Sequence, residues 1–186
     1  MTRTTYFTAM TLDGFIADEH DNLEWLFVQK EKDPSHRFGY DTFIADIGAI
    51  VMGRTTYEWV VAHLAKTGEA WMYEMPAWVM THAELEPFEG ADITFASGDV
   101  RTVHAAMVEA AAGKDLWVVG GGDLVGQFAD AGLMDEIIAQ IAPVTLGAGR
   151  PLLPRRLALR LEETEQNGDF VAARFSVAGP GAWETP

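Results

Sequence analysis

The 186-residue chain has no cysteine, which removes disulfides, thiolate metal sites and cysteine nucleophiles together. Basic residues are scarce: 13 lysines and arginines stand against 28 acids, a formal net charge of −15. Such a field repels nucleic acid and anionic membrane surfaces, so neither is expected as a partner. The many acids read most simply as solvated faces. No glycine-lysine-serine or glycine-lysine-threonine occurs, so a Walker A loop is absent. Serine stands only at 35, 97 and 176, and none forms a Gly-x-Ser-x-Gly elbow. The histidines, at 20, 36, 63, 82 and 104, have no metal-ligand spacing, so no metal is expected. No apolar run reaches signal or bilayer-spanning length, and the cytoplasm is the expected compartment.

What the chain does have is 48% hydrophobic residues, enough for one sizeable core. Neither a repeat nor a linker interrupts it, and one domain is expected over residues 1–178, with a loosely ordered tail at 179–186. The organising stretch is Leu116-Trp117-Val118-Val119-Gly120-Gly121-Gly122-Asp123, followed by Leu124, Val125 and Phe128 at helical spacing. Consecutive apolar residues predict a strand buried on both faces, and the glycines predict a sharp turn into a helix start. Free N–H groups and the helix dipole make such a junction a seat for phosphate; a plain tight turn is the competing reading. A second junction follows the same plan. Ala49-Ile50-Val51-Met52 runs into Gly53-Arg54-Thr55-Thr56, after which Tyr57, Val60, Val61 and Leu64 form an apolar helix stripe. Arg54, beside glycine at a helix start in a chain poor in cations, favours an anion contact over a surface salt bridge.

From the N-terminus, Thr4 to Leu12 is β-prone and stops at Asp13-Gly14, and Phe15-Ile16-Ala17 reads as a second strand or as a flap folded over the end of the first. Asp33-Pro34 predicts a helix start, with Phe38, Thr42 and Ala45 as its buried stripe and Gly48 as its end. Ala77 to Met80 predicts a strand ending in Thr81-His82, both able to bond a ribose or phosphate. A short strand, Ile93 to Phe95, precedes a helix capped by Ser97-Gly98-Asp99. A β-rich run at Ile137 to Ile141 follows the anchor helix. Leu157, Leu159 and Leu161 predict a half-buried strand, and Asn167-Gly168 turns it into a hairpin with Phe170 to Val177. Strands alternating with helices and then a strand-only end imply an α/β fold, with a mixed, mostly parallel sheet covered on both faces. Ligands in such sheets lie beyond the carboxyl ends of the strands, where Asp13-Gly14, Gly53-Arg54-Thr55, Thr81-His82 and Gly120-Gly121-Gly122 converge if those strands are neighbours. The hairpin leaves an open edge, which suggests pairing into a homodimer. Light scattering tests that reading: a dimeric mass is expected, and a monomeric one would contradict it.

Met10-Thr11-Leu12-Asp13-Gly14-Phe15-Ile16-Ala17, Val51-Met52-Gly53-Arg54-Thr55-Thr56-Tyr57, Val118-Val119-Gly120-Gly121-Gly122, Met134-Asp135-Glu136 and Pro143 to Leu152 occur in an order that resembles the dihydrofolate reductase-like superfamily. Within it, the chain is similar to the reductase domain of the bifunctional deaminase-reductase of riboflavin biosynthesis. The resemblance implies a three-layer α/β/α fold and an NADPH-dependent reductase acting on a small-molecule substrate, as 5-amino-6-(5-phosphoribosylamino)uracil reductase does. It places Gly120, Gly121, Gly122, Asp123 and Leu124 around the pyrophosphate. Gly53, Arg54, Thr55 and Thr56 fall at the adenosine phosphate end, Thr81 and His82 beside the adenine ribose, and Ile16 and Ala17 against the nicotinamide. A guanidinium at 54 suits the 2′-phosphate that distinguishes NADPH from NADH.

For the substrate, the resemblance gives less. Folate reductases carry an acid on the helix before the Gly-Arg-Thr strand; the family spacing puts Arg37 there, and Asp41 fills the role only if that helix is rotated. Asp13 is the candidate polar group near the substrate and Trp25 a candidate wall, against turn-former and core aromatic as the alternatives. Three other readings stay open: a non-catalytic nucleotide-binding or assembly protein, a dihydrofolate reductase, and a reductase of an unrelated carbonyl or imine compound.

Overall fold

The computed structural model describes residues 2–30 and 33–181. The elements are β1 (Thr4–Thr11), β2 (Phe15–Ala17), α1 (Glu24–Phe27), α2 (Tyr40–Ala45), β3 (Ile47–Gly53), α3 (Arg54–Thr67), β4 (Ala77–Met80) and β5 (Ile93–Ala96). They continue with α4 (Val100–Ala110), β6 (Asp115–Gly120), α5 (Gly122–Asp130), β7 (Glu136–Ala142), β8 (Arg150–Pro151), β9 (Leu157–Asn167) and β10 (Phe170–Pro180). Eight strands form one sheet in the order β5-β4-β3-β6-β1-β7-β10-β9, and β2 with β8 forms a small second sheet. The six strands from β5 to β7 run parallel, while β10 is antiparallel to both β7 and β9.

The two-residue period of the strands sorts their side chains into two cores. Tyr6, Ala49, Val51, Leu116, Val118 and Ile137 face α4 and α5, where Val103, Met107, Val125 and Phe128 meet them. Phe7, Ile50, Met52, Trp117 and Ile138 face the other way, packing with Tyr57 of α3 and with Phe43 and Ile44 of α2. Because β6 inserts between β3 and β1, Met52 pairs with Gly120 and the two glycine junctions open side by side. Gly68, at φ 77, ends α3 by donating its N–H to the Leu64 carbonyl, a left-handed stop that suits glycine.

Three expectations change. Asp33-Pro34 starts a turn, with the Asp33 carboxylate accepting from the Ser35 N–H and hydroxyl, and the helix begins only at Tyr40. Thr42 and Ala45 are consequently exposed, and Gly48 lies inside β3. Leu159 and Leu161 are 42% and 57% exposed on the edge strand β9, where no further strand among the described residues covers them. At the C-terminal end, Gly179 and Pro180 pair with Ala158 and Leu157, so the hairpin outlasts residue 178; residues 182–186 lie outside the described residues.

Candidate functional site

A cavity of about 1060 Å³ opens beyond the carboxyl ends of β3, β6 and β1. Its rim holds both glycine junctions: Gly53, Arg54, Thr55 and Thr56 from one, and Gly120, Gly121, Gly122, Asp123 and Leu124 from the other. Gly53 and Gly121 are the extended N-caps of α3 and α5, and neither helix start has a side-chain cap. First-turn N–H groups left without an internal partner, with two helix dipoles behind them, favour an anion on this rim. At Gly122 a Cβ would stand 2.5 Å from the Leu152 carbonyl oxygen and 2.6 Å from that of Pro151. Glycine is thus what lets the chain after β8 lie against the start of α5. At Gly149 a Cβ would stand 2.2 Å from the Ala17 carbonyl oxygen, so glycine in the same way lets the chain entering β8 lie against β2 at Ala17.

Charges on the rim are paired. Arg54 donates from Nε to Glu58 Oε1 at 2.8 Å, with its side chain half exposed. Asp123 accepts from Gln127 (3.1 Å) and Arg155 (3.0 Å), and both bonds hold its carboxyl below the usual range. Arg150 clamps Asp21 through Nε (2.7 Å) and Nη2 (3.0 Å), fixing the loop after β2 to β8.

The deep half is aromatic. Trp117 sits among Phe7, Tyr40 and Tyr73, with ring centres 6.5, 6.1 and 5.7 Å away and planes steeply inclined to its own, an arrangement that aromatic quadrupoles favour. All four line the cavity. Burial and the neighbouring Asp41 push the Tyr40 hydroxyl up to about 12, so it stays neutral at ordinary pH. Gln140 of β7 also lines the cavity and is 7% exposed. Its Nε2 donates to the Phe38 carbonyl, and its Oε1 has no partner.

Of the residues singled out in the sequence, the eleven at 16, 17, 53–56 and 120–124 line this cavity, while Asp13, Trp25, Asp41, Thr81 and His82 do not. Trp25 is half-buried and its α1 neighbours Leu26 and Phe27 take the wall instead. Asp41 is exposed, and Tyr40, one residue earlier on the same turn of α2, faces the cavity. Arg37 pairs with Glu163 and Glu165 across on β9. Thr81 Oγ1 accepts from the Ala83 N–H, and His82 is exposed; it is Met80 that reaches the cavity. The aromatic residues and Gln140 were not singled out. Gln140 had a signal, being the lone polar residue in the run Ile137 to Ile141, since a polar side chain in a buried strand calls for a reason.

Asp13 is a brace between loops. Its exposed carboxylate accepts from Thr11 Oγ1 (2.5 Å), the Gly147 N–H (2.7 Å) and the Leu146 N–H (3.0 Å), and these bonds, Thr11 first, hold its pKa below the ordinary value. A depressed folded-state pKa contributes stability above the unfolded-state value and loses it as pH falls through the folded one. Asp13→Asn is therefore expected to melt at lower temperature than the wild type at neutral pH, and the gap is expected to close in acid. Thermal melts of both proteins across that range check this; a gap that stays constant with pH contradicts it.

Among the described residues, no group of His, Asp and Glu is placed to hold a metal ion, and no helix is long and apolar enough to cross a membrane. An uncharacterized protein of Bacillus subtilis, YwjB, is 28% identical over 93% of this chain and 97% of its own length. A solved Shewanella sp. PV-4 structure, assigned by name to riboflavin biosynthesis, superposes with a TM-score of 0.78 at 23% identity, covering 95% of this chain and 99% of the other. Dihydrofolate reductase from Enterococcus faecalis, solved with NADP(H), superposes with a TM-score of 0.52 at 12% identity over 95% and 96% of the two chains. The fold is dihydrofolate reductase-like, a mostly parallel sheet between helix layers with an antiparallel C-terminal hairpin. The family described as RibD C-terminal domain matches residues 3–172, and the chain belongs to it.

Proposed function

We propose that this protein is an NADPH-dependent reductase that transfers a hydride to a small heterocyclic or sugar-derived substrate, of the kind reduced in riboflavin biosynthesis. One observation carries the reading: two uncapped helix starts and an arginine share the rim of a single large cavity. The residues present fit a dinucleotide. A Cβ at Gly121 would have no atom within 4 Å, so the junction is open to a ligand there, and the first-turn N–H groups of residues 122–124 are free to bind the pyrophosphate. Arg54, Thr55 and Thr56 offer a guanidinium and two hydroxyls to the adenosine phosphate end, and Ile16 and Ala17 an apolar edge to the nicotinamide. When bound, the reduced nicotinamide supplies the hydride. The chain's own contribution is to hold and orient both partners, and to exclude water with the wall of Phe7, Tyr40, Tyr73 and Trp117. The exposed position of Asp41 weighs against dihydrofolate reduction, because the cavity face of α2 carries a neutral phenol where an acid is needed.

Titration with NADPH and NADH, followed by tryptophan fluorescence, tests this directly. Saturable binding with NADPH preferred supports the reductase. Absence of binding by either nucleotide leaves the non-catalytic reading of the fold.

A further inference from the structure

Tyrosine differs from phenylalanine by a hydroxyl that needs a partner when it is buried. Of the four tyrosines in the chain, two follow the rule: Tyr6 donates to the Leu152 carbonyl at 3.3 Å and Tyr57 to the Glu86 carbonyl at 2.7 Å. The other two, Tyr40 and Tyr73, have no hydrogen-bond partner among the described residues, and they are the two that line the cavity. Tyr73 is 9% exposed and Tyr40 half-buried. Neither hydroxyl is sealed off as Gln140 Oε1 is, so a molecule in the cavity is able to reach them. Packing does not call for either hydroxyl: both rings pack against Trp117, and phenylalanine would supply the same faces.

The other side-chain donors of this half are used within the chain. Trp117 Nε1 donates to the Phe7 carbonyl, Thr8 Oγ1 to that of Ala9, Gln29 Nε2 to that of Trp25 and Gln140 Nε2 to that of Phe38. The charged side chains that line the cavity are paired as well, Asp21 with Arg150, Arg54 with Glu58 and Asp123 with Arg155. Burial, and then the neighbouring Tyr40, push the Tyr73 hydroxyl up as burial does that of Tyr40, so both phenols stay protonated at ordinary pH. Two O–H groups are thus left to donate, and a ligand acceptor that meets them recovers the cost of leaving a buried donor unmade. In a reductase the acceptor is also where charge develops. Hydride from the reduced nicotinamide enters at the carbon of a C=O or C=N bond, the π pair withdraws onto the oxygen or nitrogen, and that atom takes a proton from water to finish as an alcohol or amine, leaving the nicotinamide oxidised. Donors already aimed at that atom stabilise the charge as it forms.

We propose that Tyr40 and Tyr73 are the donors that hold the substrate, a carbonyl or imine compound, by the oxygen or nitrogen of the bond to be reduced. The inference rests on the reductase reading, in which the glycine rim is engaged by the cofactor and the aromatic half is left to the substrate.

Two probes test it on the intact protein saturated with NADP⁺, which fills the rim and cannot reduce a ketone. 6-Propionyl-2-(dimethylamino)naphthalene is a neutral fluorescent ketone whose emission moves to the red when its carbonyl accepts a hydrogen bond, and 6-propyl-2-(dimethylamino)naphthalene has the same outline without the carbonyl. The ketone is expected to bind with red-shifted emission. Tyr40→Phe and Tyr73→Phe are each expected to weaken it about 3- to 10-fold and to move its emission to the blue, while the propyl compound stays within about twofold. Neither variant gives up a hydrogen bond within the chain, so both are expected to melt no lower than the wild type, which a hydroxyl with a structural role would not allow. Should either variant fail to fold, the emission of the ketone on the wild type decides alone. No binding of the ketone, emission as in an aprotic solvent, equal losses for the two probes, or a loss confined to one of the two hydroxyls overturns the proposal. NADPH titrated into the same preparation before NADP⁺ is added separates the two levels: if NADPH binds and the hydroxyls do not discriminate the probes, this inference falls and the reductase reading stands, whereas failure of NADPH to bind removes the reading and the inference with it.

Discussion

Arg54→Ala is expected to weaken NADPH about 5- to 70-fold and to leave NADH within about twofold. A charge-assisted bond from a guanidinium to a phosphate contributes about 1.5–3 kcal/mol, against which stands the cost of giving up Glu58. That cost is small, because the Arg54–Glu58 pair spans one helical turn with both side chains roughly half exposed, and such pairs hold about 0.3–0.5 kcal/mol. The remainder, about 1–2.5 kcal/mol, converts to the stated range at about 1.4 kcal/mol per tenfold. NADH has no 2′-phosphate for Arg54 to lose. A companion variant reports on the competitor: Glu58→Gln removes both the rival partner and a negative charge near the phosphate, and NADPH is expected to bind about twofold tighter. Parallel titrations of the three proteins with both nucleotides measure all of this. An equal loss of NADPH and NADH in Arg54→Ala would show that Arg54 acts on the helix start and not on the 2′-phosphate.

Gly122→Ala is expected to cost about 1–3 kcal/mol of folding stability and at least about tenfold in NADPH affinity. The added methyl meets two backbone carbonyl oxygens, of Pro151 and Leu152, at 2.6 and 2.5 Å. Main-chain atoms cannot swing aside as a flexible side chain can, so either α5 or the segment after β8 must move. The better helix propensity of alanine, worth at most about 1 kcal/mol, offsets only part of this. Moving α5 also displaces the N–H groups offered to the pyrophosphate, so affinity is expected to fall together with stability. Gly53→Ala is the contrast. A Cβ at Gly53 finds nothing nearer than 3.8 Å and the residue has φ −79, so the expected cost is under about 1 kcal/mol, that of a poorer N-cap. Urea denaturation of the three proteins compares the stabilities. Equal midpoints for Gly122→Ala and the wild type would mean that the close approach to β8 is not rigid.

How much of this was legible depended on how local the signal was. The junction at Gly53-Arg54 and the triple glycine were visible because a strand, a turn and an amphipathic helix are each written in adjacent residues. The same local reasoning failed between Asp33 and Gly48, where a good cap pair sits in a turn and the helix begins seven residues after Asp33. There the burial of Phe38 against the second core, and not capping chemistry, decides the chain's path. Asp13 shows a different limit. An aspartate before glycine marks a turn, yet that its carboxylate binds the loop at Leu146 and Gly147 depends on residues more than 130 positions away. On α2 a single step separates the two outcomes for the substrate half: one residue turns a helix by about 100°, so Tyr40 reaches the cavity and Asp41 reaches solvent.

The sequence by itself determined the fold class, most of the succession of strands and helices, the hairpin at the end and the two glycine junctions, since periodicity, capping and glycine turns act over a few neighbours. Only the tertiary structure decided what the cavity is made of beyond those junctions. The strand order puts β6 between β3 and β1 and β7 beyond β1, which gathers Phe7, Tyr40, Tyr73, Trp117 and Gln140 from five separate segments. No spacing along the chain encodes that meeting; it follows from which strands pair and from which face of each is turned toward the helices.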